Sequence, residues 1–268
     1  MNVATRWPVA ESQRLSFLDN DARQALGVSA WLFDLDADEP NLPEFSAVLP
    51  ASELAHAGRL RDPLQGRRFL GGRRWLRLLL AGVTDMGPES LVLTTSRRGK
   101  LGLATETLLA REQAGIAHSL RHLGFNISHC ENLLLAAINM GGAVGVDVER
   151  VDATAADLPQ IASDHFLASE VAQLQALPPA DLPTAFFRCW TLKEAAAKAL
   201  GQGIAQDANL AELTVDPYGG VTLRRLAGVV LESRTLGSPA HSLCWQREVS
   251  WGGRQFTLAI VALPPATA

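Results

Sequence analysis

The stretch from Leu133 to Glu149 constrains the fold more than any other part of this chain. It holds two apolar runs, Leu133 to Asn139 (LLLAAIN) and Ala143 to Glu149 (AVGVDVE), separated by Met140-Gly141-Gly142. Each run is short, aliphatic and flanked by turn residues, so the two are predicted to pair as a β-hairpin. Strand side chains alternate faces, which puts Val144, Val146 and Val148 on one side and Gly145, Asp147 and Glu149 on the other. A rise of about 3.3 Å per residue sets the two carboxylates roughly 6 to 7 Å apart, near enough for both to address one hard cation and its water shell. A half-exposed strand with a wetted acidic face satisfies the same pattern, so the strand alone does not decide between them.

Further on, a helix is expected over roughly Ser163 to Leu177, and Leu177-Pro178-Pro179 breaks it. A second helix follows, with Asp181 placed to cap it, Pro183 in its first turn, Ala195 to Ala199 as strong formers and Gly201 as its stop. Phe186, Phe187, Trp190 and Leu200 mark its buried side. Trp190, Glu194 and Lys198 stand four residues apart, so they project along neighbouring lines, with Glu194 at the rim of the apolar stripe. An ordinary surface pair would be worth a few tenths of a kcal/mol. Lysine is scarce, however: of 24 basic residues only Lys100, Lys193 and Lys198 are lysines, and two of those flank Glu194.

Two upstream segments add polar chemistry. Phe125-Asn126-Ile127-Ser128-His129-Cys130 supplies a hydroxyl donor and an imidazole that can donate to an anion or take a proton near neutral pH. No G-x-S-x-G elbow accompanies them, which leaves serine hydrolysis without support. From Pro50 to Ala81 the pattern is helical, with seven arginines between Arg59 and Arg77 opposed only by Asp62. Phe69, Leu70, Trp75, Leu76, Leu79 and Leu80 form its buried stripe and leave several arginines outward, either as a solvated face or as an anion site. The tail alternates turns such as Asp216 to Gly220 with strands over Val221 to Leu223, Gly228 to Leu231 and Phe256 to Leu263. The class is therefore α+β in both halves, with the boundary at Gly141-Gly142.

Composition excludes several functions. With 268 residues, 47% hydrophobic and 19% charged, the chain has too much apolar material for disorder. A net charge of −4 disfavours a nucleic-acid binder. No run suits a membrane span and the first residues lack the apolar core of a signal peptide, so a cytoplasmic protein is expected. Cys130, Cys189 and Cys244 are odd in number and far apart, which suggests reduced thiols rather than disulfides or zinc ligands.

Taken in order, F-N-I-S-H-C, G-V-D-V-E, Phe166 with Glu170, and W-T-L-K-E-A-A-A-K resemble the 4'-phosphopantetheinyl transferases. The similarity is to the two-lobed, surfactin-synthetase-activating class, and it runs from Phe125 to Lys198, more loosely upstream to G-R-R-F-L-G-G-R-R-W-L-R. The resemblance implies a pseudo-dimer of two similar lobes, here 1–141 and 142–268, in one monomeric chain with the coenzyme in the cleft between them. It implies transfer of phosphopantetheine from coenzyme A to a serine of an acyl or peptidyl carrier protein, with Mg²⁺ held by Asp147, Glu149 and Glu194. By the same resemblance Lys198 approaches the pyrophosphate, His129 and Ser128 meet a coenzyme phosphate, Arg68 binds the 3'-phosphate, and Lys100 lies near the adenine. Glu194, or a water beside it, would take the serine proton. Leu101 replaces the family's usual proline after Gly-Lys, and 24 residues (Leu101 to Gly124) separate Lys100 from Phe125, more than the family commonly has. A coenzyme A binding module without transfer activity and another Mg²⁺-dependent phosphotransferase are the alternatives.

Overall fold

The computed structural model describes residues 15–16, 28–37, 42–104, 107, 120, 122–202, 210–230 and 244–264. The first half holds β1 (Leu15–Ser16), β2 (Val28–Asp34), α1 (Leu42–Ser46), α2 (Ala51–Gly58), α3 (Pro63–Thr84), β3 (Leu93–Thr95), β4 (Leu101–Leu103), β5 (Gly124–Cys130) and β6 (Leu133–Asn139). The second holds β7 (Val144–Arg150), α4 (Leu158–His165), α5 (Ala168–Gln175), α6 (Leu182–Leu200), β8 (Ala211–Val215), β9 (Val221–Leu226), β10 (Val229–Val230), β11 (Cys244–Trp251) and β12 (Arg254–Ala262). The described strands form antiparallel sheets in the orders β1-β2-β6-β5, β11-β12-β7 and β10-β9-β8, with β3-β4 as a separate ribbon. The protein is α+β, as its patterning predicts.

The hairpin expected between Leu133–Asn139 and Ala143–Glu149 does not form. Strand β6 pairs with β2 and β5, while β7 pairs with β12. The physical reason lies in β6 itself: all seven of its residues are buried, so it needs cover on both faces and a strand on each edge. Leu133, Leu135 and Ala137 meet Val144, Val146 and Val148 in one core, while Leu134, Ala136 and Ile138 pack toward α3 in another. The real hairpin is β5–β6, closed at Glu131-Asn132 with Glu131 in the left-handed region at φ 53°. Met140 to Gly142 instead carries the chain from one sheet to the next. Asn139 organises that crossing: its Oδ1 accepts from Gly141 N at 2.9 Å and its Nδ2 donates to Ala143 O at 3.1 Å.

Two predicted helices are each divided. The basic segment breaks at Arg59 to Asp62, where Asp62 Oδ1 accepts from Leu64 N at 2.9 Å and Pro63 opens α3. The Ser163–Leu177 segment breaks at Phe166-Leu167, where Glu170 Oε2 accepts from Leu167 N at 2.9 Å. Helix α6 forms where predicted and ends at Gly201 with φ 70°, but Asp181, at its N-cap position, has helical backbone angles and makes no side-chain capping hydrogen bond. Its apolar side packs on Ala259 and Val261 of β12 and on Phe166, Leu213 and Leu223. The turn at Asp216 to Gly220 also forms as expected, with Asp216 Oδ1 accepting from Tyr218 N and Gly220 N.

Candidate active site

Strand β7 and helix α6 meet through Gly145. A Cβ there would stand 2.0 Å from Ala195 O, 2.3 Å from Ala199 N and 2.9 Å from Lys198 C, so only glycine lets the helix backbone lie this close. That contact brings the acidic face of β7 against the last two turns of α6, which carry Glu194 and Lys198. The valine face turns away into the core shared with β2, β6 and β12.

Asp147 is 2% exposed. Its Oδ1 accepts from Lys198 Nζ at 2.6 Å and from Ser128 Oγ at 2.9 Å, and Lys198 Nζ lies 3.0 Å from Ser128 Oγ. The structure thus joins three predicted residues from β5, β7 and α6. Burial, then the Asp147 charge, pushes the Glu149 carboxyl up to about 7. Burial also raises Glu194, with Lys198 opposing and Asp147 reinforcing the rise. Glu149 and Glu194 therefore both feel the Asp147 charge. His129 is exposed as a residue, yet desolvation of its ring, followed by the Lys198 and Arg68 cations, holds its pKa below the ordinary value. The Lys198 and Arg68 cations thus flank an imidazole held toward its neutral form, beside the acidic cluster.

Arg68, on α3, is held by Asp36, which accepts from Nε at 2.9 Å and also from Nη2. Those contacts use Nε and Nη2, two of the guanidinium's three nitrogens. Lys100 is placed differently from the other predicted cations. Its ammonium donates to Lys198 O at 2.6 Å and Ala199 O at 2.9 Å, and lies 3.4 Å from Val144 O, so it closes the C-terminal end of α6 and the start of β7. Lys193 points away from Lys198 into the core. There it pairs with the fully buried Glu170 at 2.9 Å and donates to Ala211 O at 2.6 Å.

Sequence reasoning missed Asn126, whose Oδ1 accepts from Val146 N at 2.9 Å and so ties β5 to β7 where no backbone ladder joins them. It missed Asp36 and Thr257 as well. Thr257 lies on β12 directly opposite Glu149. Only antiparallel register reveals that placement.

The chemistry of these donors suits a hard cation. Asp147 Oδ2 is buried without a hydrogen-bond partner among the described residues, an expensive state for a carboxylate oxygen unless something electropositive meets it. Among the described residues no group of three or more His, Cys, Asp or Glu side chains stands in an arrangement that could hold a metal ion. Mg²⁺ keeps several waters and shares its shell with phosphate oxygens, so it asks for fewer protein donors than such a group supplies. The donors Asp147, Glu149 and Glu194 are all oxygen, which suits Mg²⁺ over softer metals.

The comparisons agree with this geometry. A family profile described as the 4'-phosphopantetheinyl transferase superfamily matches residues 143–261, which span β7 through β12. The chain is 37% identical over 179 residues to the 4'-phosphopantetheinyl transferase HetI of Nostoc sp. (strain PCC 7120), covering 67% of this chain and 70% of that one. It is 32% identical to the putative 4'-phosphopantetheinyl transferase slr0495 of Synechocystis sp., covering 69% and 73%. It is 30% identical to the L-aminoadipate-semialdehyde dehydrogenase-phosphopantetheinyl transferase of Eremothecium gossypii, covering 80% and 76%. With a glycine-packed strand and helix presenting carboxylates and a lysine to one another, and relatives matched over two thirds of their length, the chain belongs to the 4'-phosphopantetheinyl transferase superfamily.

Proposed function

We propose that this protein transfers 4'-phosphopantetheine from coenzyme A to a serine of an acyl or peptidyl carrier protein, with Mg²⁺ held by Asp147, Glu149 and Glu194. The observation that carries the metal assignment is the buried, unpartnered Asp147 Oδ2 beside two carboxyls whose pKa values are raised. When bound, Mg²⁺ would neutralise pyrophosphate charge and lower its repulsion of an incoming nucleophile. Helices α4 to α6 and Gly145 hold the frame; the side chains do the rest.

In the transfer, the serine Oγ forms a bond to the β-phosphorus while the phosphorus–oxygen bond to the α-phosphate breaks, releasing adenosine 3',5'-bisphosphate. Glu194, or a water beside it, accepts the serine proton. Lys198, already against Asp147 and Ser128, stabilises charge that builds on the pyrophosphate oxygens. His129 and Ser128 donate to a coenzyme phosphate. Arg68, oriented by Asp36, presents its Nη1 edge to the 3'-phosphate. The same reading takes 1–141 and 142–268 as the two lobes, in the two-lobed class, acting as a cytoplasmic monomer with no nucleic-acid partner. No described helix is long and apolar enough to cross a membrane.

The test is incubation with coenzyme A, Mg²⁺ and a panel of apo carrier proteins, followed by intact mass. A gain of about 340 Da on at least one carrier, abolished by chelator, is expected. Coenzyme A binding with no gain on any carrier would overturn the transferase reading in favour of a binding module.

A further inference from the structure

Two buried side-chain oxygens or nitrogens among the described residues lack a hydrogen-bond partner, Asp147 Oδ2 and Thr257 Oγ1. They belong to adjacent strands. In the β7–β12 ladder Glu149 stands opposite Thr257 and Asp147 opposite Ala259. Residues directly opposite in an antiparallel pair project from the same face, with Cβ atoms about 4.5–5.5 Å apart, and diagonal neighbours such as Asp147 and Thr257 stand about 7–8 Å apart, a gap that a ligand oxygen between them can bridge. Thr257 therefore shares the face of Gly145, Asp147 and Glu149, while its strand neighbours Phe256 and Leu258 enter the valine core on the other side. Along the β12 part of that face Ala259 and Val261 pack against α6 and Gln255 donates to Ser250 Oγ, while β11 places Glu248, held by Arg188, on the other side of Thr257. Thr257 is the one hydroxyl in the β12 row, and it is 1% exposed.

A buried hydroxyl with no partner costs stability, and valine has nearly the same shape without that cost. Its presence beside an equally unpartnered carboxylate oxygen calls for a ligand that satisfies both. We propose that Thr257 is a positioning residue of the carboxylate site, its hydroxyl donating to an oxygen that arrives with the cation. That oxygen is either a water of the Mg²⁺ shell or a phosphate oxygen of the coenzyme. A donor held dry, on a strand fixed by pairing to both β7 and β11, orients such an oxygen without having to be desolvated when it arrives. The inference rests on the metal assignment above but concerns a residue that assignment does not use.

Thr257→Val tests it in the full-length protein with two readouts that need no carrier. Without metal, the variant is expected to melt about 2 to 4 °C higher than wild type, because an unpaired hydroxyl has been removed. With metal, calorimetry is expected to show about tenfold weaker binding in one of two arms. Loss with Mg²⁺ alone identifies the water; loss only of coenzyme A affinity in the presence of Mg²⁺ identifies the phosphate oxygen. A higher melting temperature with both affinities unchanged would overturn the proposal, leaving Thr257 a mere packing defect. A lower melting temperature without metal would also overturn it, since the hydroxyl would then have a protein partner. Thr257→Ser, which keeps the donor, is expected to retain the affinities within about threefold. If wild type binds Mg²⁺ but labels no carrier, the transferase reading fails while the Thr257 comparison stands.

Discussion

Gly145→Ala is the substitution that most sharply joins fold to chemistry in this protein. The added Cβ would lie 2.0 Å from Ala195 O and 2.3 Å from Ala199 N, where 3.0 Å is the practical lower limit. Both obstacles are helix backbone rather than flexible side-chain ends, so relief requires α6 and β7 to separate by about 1 Å, the difference between those values. Neither element is free to yield. The other face of β7 is packed by three valines of zero exposure, and α6 is packed on β12 and β8. Overpacking of this kind costs about 2 kcal/mol or more, a fall of roughly 4–8 °C in melting temperature for a chain of this size. The larger effect is on rate. Glu194 and Lys198 ride on the displaced helix while Asp147 stays on the strand, and a misplacement of about 1 Å in a catalytic constellation can cost on the order of 100-fold. The assay is initial rate of holo-carrier formation beside differential scanning calorimetry, with Gly58→Ala as control because nothing lies within 4 Å of a Cβ there. A Gly145→Ala protein with wild-type rate and melting temperature would refute the packing argument.

Three other outcomes follow from the same structure. Lys193→Met leaves Glu170 buried without its cation and is expected to destabilise the fold by about 3–5 kcal/mol by denaturant titration; adding Glu170→Gln should recover much of that loss, and additive losses would contradict the pairing. Because burial holds Glu149 up to about 7 against an ordinary 4.5, the folded state retains a proton that the unfolded state releases. Stability of the metal-free protein should therefore fall as pH rises from about 4.5 through 7 and then level, and Glu149→Gln should flatten that fall; an unchanged profile in the variant would remove Glu149 as the cause. Arg68→Ala is expected to weaken coenzyme A by about tenfold more than dephospho-coenzyme A in calorimetry, and equal losses would contradict a 3'-phosphate role.

What was legible in the sequence was local. Period two over Ala143 to Glu149 separates valines from carboxylates, and four-residue spacing aligns Trp190, Glu194 and Lys198; both patterns survive folding because they depend on one element at a time. Pairing is not local. Leu133 to Asn139 reads equally well as half of a hairpin or as a central strand, and only its burial on both faces separates the two. Asp62-Pro63 is a helix start that an amphipathic stripe running through it conceals. Lys100 sits beside Gly99 in a turn like a ligand contact, yet its reach across the fold to Lys198 O, 98 residues away, is invisible to spacing. Thr257 was silent for the same reason: a threonine in a strand is unremarkable until the register sets it opposite Glu149.

The central claim, that Asp147 is a metal-holding carboxylate of a transferase, is tested most directly by Asp147→Asn across a Mg²⁺ titration, with intact mass of an apo carrier as readout. Asparagine keeps the shape, and its side-chain oxygen can still accept from Lys198 and Ser128, so the fold should persist by calorimetry. The account predicts carrier labelling by wild type that saturates with Mg²⁺ and at least about 100-fold slower labelling by the variant at every concentration. Labelling by Asp147→Asn at the wild-type rate and with the wild-type Mg²⁺ dependence would contradict it.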